Sequence, residues 1–243
     1  MVRLRIVDLL GGLTDILYPR RCAACGRSVG NEPGHICWDC RAGAESVAAP
    51  FCDLCGDPVE GVVEHRFVCS ACRRWPPGFD VARSAMRHRG AFRRIMHEMK
   101  YNRHTALARD LSEFLYNCVA MHYSELRFDV VACVPLHRAK ERERTYNQSD
   151  LLARGLAARL GIPAAARCMV RVRPTVSQSG LKANERRRNV HRAFAVRDPG
   201  WVEGRRVLLV DDVMTTGSTV SECAWALKNA RAAQVAVATV ARG

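Results

Sequence analysis

Residues 207–219 read VLLVDDVMTTGST, and this stretch constrains the fold of the chain more than any other. Four aliphatic residues run directly into two aspartates, with no alternation of polar and apolar positions. Such a run suits a strand of a parallel sheet, because helices cover both of its faces. Open α/β sheets bind ligands at the C-terminal ends of their strands. There the chain places Asp211 and Asp212, two carboxylates able to accept sugar hydroxyls. Thr215, Thr216, Gly217, Ser218 and Thr219 follow, offering hydroxyls and closely spaced backbone N–H groups. A helix over about 219–231 is expected next, and a helix N-terminus attracts anions. A vicinal diol beside a phosphate, as in ribose 5-phosphate, fits these groups. An ordinary capped helix after a buried strand explains one hydroxyl, but not paired carboxylates followed by a hydroxyl-Gly-hydroxyl cluster.

The rest of the chain supplies other strands for that sheet. Phe79 to Arg87, Phe128 to Leu136, Ala166 to Arg173 and Gln234 to Val240 have strand character. Helical patterns separate them at 91–101, 105–122 and 149–160, the last closed by Gly161. Strands alternating with helices predict an α/β domain with a parallel sheet. Residues 174–192 show no core pattern and are expected to form a mobile loop.

Toward the N-terminus stand four Cys-x-x-Cys pairs, Cys22/Cys25, Cys37/Cys40, Cys52/Cys55 and Cys69/Cys72, separated by 11, 11 and 13 residues. Two such turns close a tetrahedral four-thiolate site, so eight cysteines imply two structural Zn²⁺ ions. Sequential pairing, first with second and third with fourth, is the simplest; interleaved pairing remains open. A segment so poor in large apolar groups needs metal, which contributes on the order of 10 kcal/mol per site. Eight cysteines fill two sites, leaving His35 and His65 as surface residues. Cys118, Cys133, Cys168 and Cys223 sit singly in apolar patterns and read as core. Leu4, Val7, Leu10, Leu13 and Leu17 mark an N-terminal helix that Pro19 stops. Trp75-Pro76-Pro77-Gly78 is a stiff boundary, dividing a helix and double zinc ribbon at 1–77 from an α/β domain at 78–243.

The formal charge of +14 comes overwhelmingly from arginine and favours phosphate-bearing partners. Asp8 and Asp15 interrupt the first apolar segment, and no apolar run reaches the roughly 18 residues of a membrane span. A cytoplasmic location is expected, where clustered cysteines mean metal rather than disulfides. Two further segments bear on the anion site. His137, Arg138, Arg142 and Arg144 follow the second strand in a polar loop, and guanidinium forks bind phosphate oxygens in pairs. The cationic stretch 173–188, with Lys182 and Arg186, has the character of a lid.

VLLVDDVMTTGST resembles the phosphoribosyl-pyrophosphate (PRPP) loop of type I phosphoribosyltransferases. With VPLHRAKERERTYNQS, QSGLKANERRRNV and the cysteine pairs, the chain resembles the ComF family over essentially its whole length. The resemblance implies a double zinc ribbon before a type I phosphoribosyltransferase fold, with PRPP and Mg²⁺ as ligands. Asp211 and Asp212 would then hold the ribose hydroxyls and residues 215–219 the 5-phosphate. His137, Arg138, Arg142, Lys182 and Arg186 would steady the pyrophosphate. The resemblance also implies competence and DNA uptake, with single-stranded DNA as the partner in an alternative, non-catalytic reading. One departure stands out. The family usually has glycine where Thr145 stands, so the loop before Asn147 and Gln148 is expected to take a different shape.

Overall fold

The computed structural model describes residues 20–30, 32–175 and 182–243; the expected helix at 4–18 lies outside them. Strands β1 (Val81–Arg87), β2 (Val130–Cys133), β5 (Arg206–Met214) and β6 (Gln234–Arg242) form one parallel sheet in the order β1-β6-β5-β2. The crossovers carry helices α3 (Gly90–Tyr101), α4 (Leu107–His122), α6 (Gln148–Leu160) and α8 (Ser218–Asn229). Val207, Leu208, Leu209 and Val210 are all fully buried, as the unalternating apolar run requires.

Alternate residues of these strands feed two separate cores. Val131, Leu208, Val210 and Ala238 face α3, α4 and α6, while Val130, Val207, Leu209 and Val237 face α8. Each cysteine tetrad joins one core. Cys22, Cys37 and Cys40 pack into the first, and Cys52, Cys55 and Cys72 into the second. The ribbons are therefore fastened to opposite faces of the sheet, and each contains a short helix, α1 (Trp38–Ala42) and α2 (Ser70–Arg74).

The sequence pattern errs in three places. The segment after β2 is not a loop: Arg138–Arg144 forms helix α5, with His137 as its N-cap. Its seven residues carry no apolar stripe, so periodicity has nothing to register. Ala166 to Arg173 does not add a strand to the main sheet. Only Met169–Arg171 (β3) is extended, and it pairs antiparallel with Phe194–Val196 (β4) in a separate ribbon. Within the stretch read as a loop, residues 183–190 form helix α7 (Ala183–Val190), with Glu185 accepting from the Lys182 backbone N–H; residues 176–181 lie outside the description. At the end of α5, Thr145 has a left-handed backbone with φ +70°, the region glycine enters at least cost.

Candidate anion and metal sites

Asp211 and Asp212 stand near the C-terminal end of β5, both buried. The backbone and neighbouring side chains hold them in place. Asp211 Oδ1 accepts from Ser149 Oγ at 2.8 Å and from the Asp212 N–H at 2.9 Å. Asp212 Oδ2 accepts from Gln148 Nε2 and from Lys100 Nζ, both at 3.0 Å. Burial, reinforced by the charge of Asp212, pushes the Asp211 carboxyl up to about 7, against the pull of Ser149 and Lys100. Gln148 and Ser149 reach these carboxylates because Asn147 anchors the start of α6. Its Nδ2 donates to Val134 O at 3.0 Å, and its Oδ1 caps Ser149 N at 3.0 Å.

The carboxylates open into a cavity of about 530 Å³, lined also by Thr215, Thr219, Lys100, Lys140, Arg144 and Arg186. Gln148 Oε1 and Arg171 Nε are buried without hydrogen-bond partners, and both side chains line this space. Paired carboxylates, hydroxyls and clustered cations suit a polyanionic, hydroxyl-bearing ligand.

The residues singled out from sequence do not all gather here. His137 lines the cavity, whereas Arg138 and Arg142 are exposed and absent from its wall. Because α5 is helical, Lys140 and Arg144, four apart, turn toward the cavity together instead. Arg186 Nη1 donates to Thr215 Oγ1 at 2.7 Å, while Lys182 is exposed at the start of α7. Thr216, Gly217 and Ser218 lie on the other side of the loop at 215–219. With Thr215 and Arg186 they line a larger cavity of about 1210 Å³ that the second ribbon closes through Cys55, Cys72 and Trp75. Sequence reasoning did not single out Lys100, Lys140, Ser149 or Arg171; of these only Ser149 carried a signal, by following Asn147 and Gln148 at the head of a helix.

The cysteines divide into Cys22, Cys25, Cys37 and Cys40, and Cys52, Cys55, Cys69 and Cys72, the sequential pairing. Within each set the sulfurs lie within 4.8 Å of one another, with Cys25–Cys37 at 3.7 Å and Cys55–Cys69 at 3.8 Å. A tetrahedron with Zn–S of about 2.3 Å has edges of about 3.8 Å, so both sets fit structural Zn²⁺. The two sites repeat one local device. Cys22 N donates to Arg27 O and Cys52 N to Asp57 O, while Cys37 N and Cys69 N point at the Cys22 and Cys52 sulfurs. Cys118, Cys133, Cys168 and Cys223 are buried core residues; burial lifts the Cys118 thiol to about 12.

Models of known families match two parts of the chain. A double zinc ribbon domain matches residues 13–73 and a phosphoribosyl transferase domain residues 148–243. The class is thus a type I phosphoribosyltransferase fold carrying a double zinc ribbon. Competence protein F of Haemophilus influenzae is 30% identical over 226 residues, 91% of this chain and 96% of its own. DNA utilization protein YhgH of Salmonella typhimurium is 33% identical, with the same coverage of both chains. Competence protein ComFC of Bacillus subtilis is 25% identical over 85% of this chain and 84% of its own. The chain belongs to the ComF family.

Proposed function

We propose that the chain binds PRPP with Mg²⁺ and transfers its phosphoribosyl group to an acceptor. The observation that carries this is the pair Asp211 and Asp212, side by side in a cavity whose wall also holds hydroxyls and five cations, against the one further carboxylate of Glu143. In the transfer, the bond from the anomeric carbon to pyrophosphate breaks as the bond to the acceptor forms, and pyrophosphate leaves with the electron pair. Positive charge builds on the sugar ring. The aspartates hold the 2- and 3-hydroxyls and stabilise that charge, which they do well in a low-dielectric site. Thr215 and Thr219, with the backbone N–H groups around them, hold the 5-phosphate and supply binding energy remote from the reaction. Lys100, Lys140, Arg144 and Arg186 face the pyrophosphate. The donor set of carboxylate, hydroxyl and amide oxygens suits Mg²⁺, a hard ion that neutralises phosphate charge while keeping several waters. Titration calorimetry with PRPP, with and without Mg²⁺, tests the reading. Saturable binding that Mg²⁺ strengthens supports it, and the absence of any binding overturns it.

The relatives' names refer to competence and DNA utilization. A second reading, that the chain handles single-stranded DNA, draws on the larger cavity. Trp75 and Trp225, 49% and 48% exposed, line it together with Arg74, Arg187 and Arg188. Exposed indoles among guanidiniums form a stacking and charge surface suited to a strand.

A further inference from the structure

Arg242 ends β6 and is 6% exposed, in a place where a lone guanidinium could not be tolerated. Its fork reaches two structures at once. Nη1 donates to Thr215 O at 2.6 Å, inside the phosphate loop. Nε donates to Asp57 Oδ1 at 3.0 Å, and Nη2 points at Cys55 Sγ at 3.9 Å. Asp57 closes the Cys52 turn through its own carbonyl, and Cys55 belongs to the second tetrad. The backbone adds to this junction. The Arg242 carbonyl accepts from His88 N at 2.6 Å, and His88 lines the cavity of the paired carboxylates.

The charges explain why the junction holds. A Zn²⁺ ion with four thiolates carries a net charge of about −2. A tetrad so loaded is a partly buried dianion beside a buried cation, and together with Asp57 it offsets the cost of burying Arg242. The same planar fork then has N–H groups left to fix the Thr215 carbonyl, so the loop's backbone is set by a group whose other end belongs to the metal site. No comparable side chain connects the first tetrad to the loop among the described residues. The first ribbon instead docks through Arg41 and the His35 backbone onto Asp110 of α4.

We propose that Arg242 is a positioning residue that couples the second zinc site to the phosphate loop, so that zinc there and PRPP in the loop strengthen each other's binding. The proposal rests on the reading of the loop as a PRPP site. Coupling of this kind is reciprocal and is commonly worth about 5- to 150-fold in affinity.

The test uses the full zinc-loaded chain and two readouts, zinc release to a chromogenic chelator and calorimetric PRPP affinity. In wild type, saturating PRPP slows one of two zinc-release phases and leaves the other unchanged. Arg242→Ala accelerates that same phase about 10-fold or more, weakens PRPP binding about 5-fold or more, and abolishes the effect of PRPP on zinc release. Asp57→Asn, whose side chain bonds Arg242 and neither Thr215 nor a sulfur, shifts both readouts the same way by less, and carries the test if Arg242→Ala does not fold. A purely structural Arg242 would not make zinc release depend on PRPP. Wild type that binds PRPP, with both zinc phases indifferent to it and variant affinities within about twofold, overturns the coupling alone. Wild type that binds no PRPP overturns the reading of the loop, and the coupling with it.

Discussion

Lys100 Nζ lies 3.0 Å from Asp212 Oδ2, so a lysine from α3 neutralises one of the paired carboxylates across the site. Its charge is also among the groups that hold the Asp211 carboxyl down against burial. Replacing it with an uncharged side chain of similar length removes that restraint. Lys100→Met is expected to move the onset of PRPP binding to higher pH, read as the midpoint of affinity against pH. An unmoved midpoint would show that the lysine does not govern ionisation of the pair.

The raised Asp211 carboxyl has a signature in stability. In the unfolded chain an aspartate titrates near 3.9, whereas the native state keeps this proton up to about pH 7. Between those values the native state holds the extra proton, so stability falls as pH rises and levels off above about 7. Asp211→Asn removes the cost of the buried charge. Its thermal midpoint should match wild type near pH 4, rise above it through neutrality, and hold a constant advantage beyond. A gain largest at acid pH would contradict the assignment.

Thr145 occupies a left-handed conformation, φ +70° and ψ −6°, which is costly for a β-branched residue. Thr145→Gly is expected to be between neutral and about 1 kcal/mol more stable in denaturant unfolding, the relief of strain exceeding the entropy that glycine adds to the unfolded chain. Thr145→Val, which keeps the branching and loses the hydroxyl bond to Arg144 O at 2.5 Å, is expected to be less stable than wild type.

The nucleic-acid reading makes its own demand. Binding of a single strand should weaken steeply with salt and quench tryptophan emission, and Trp75→Ala should weaken it by about 1–3 kcal/mol. Affinity independent of salt would remove this reading without touching the PRPP site.

The parts of the fold visible in sequence are those whose physics is local. The strand expected from the apolar run that opens residues 207–219 is observed at Arg206–Met214, because burial on both faces leaves an uninterrupted apolar run. Cysteine spacing made sequential pairing the simplest arrangement, and the sulfurs adopt it. What stayed hidden is what tertiary structure decides. Helix α5 is all charge and alanine, so nothing in its sequence told which arginines would face the cavity. Lys100 is more than a hundred residues from Asp212 and sits in an amphipathic helix like any other lysine. Arg242 at the end of a strand gave no hint that it joins Thr215 to Cys55.

Asp211 and Asp212 are proposed to hold the sugar of PRPP. Calorimetric titration of wild type and of Asp211→Asn/Asp212→Asn with PRPP and Mg²⁺, beside a titration with pyrophosphate and Mg²⁺, tests it most directly. The double substitution is expected to weaken PRPP binding by at least about tenfold, or 1.4 kcal/mol, and to weaken pyrophosphate binding less. PRPP affinity equal to that of wild type would contradict it.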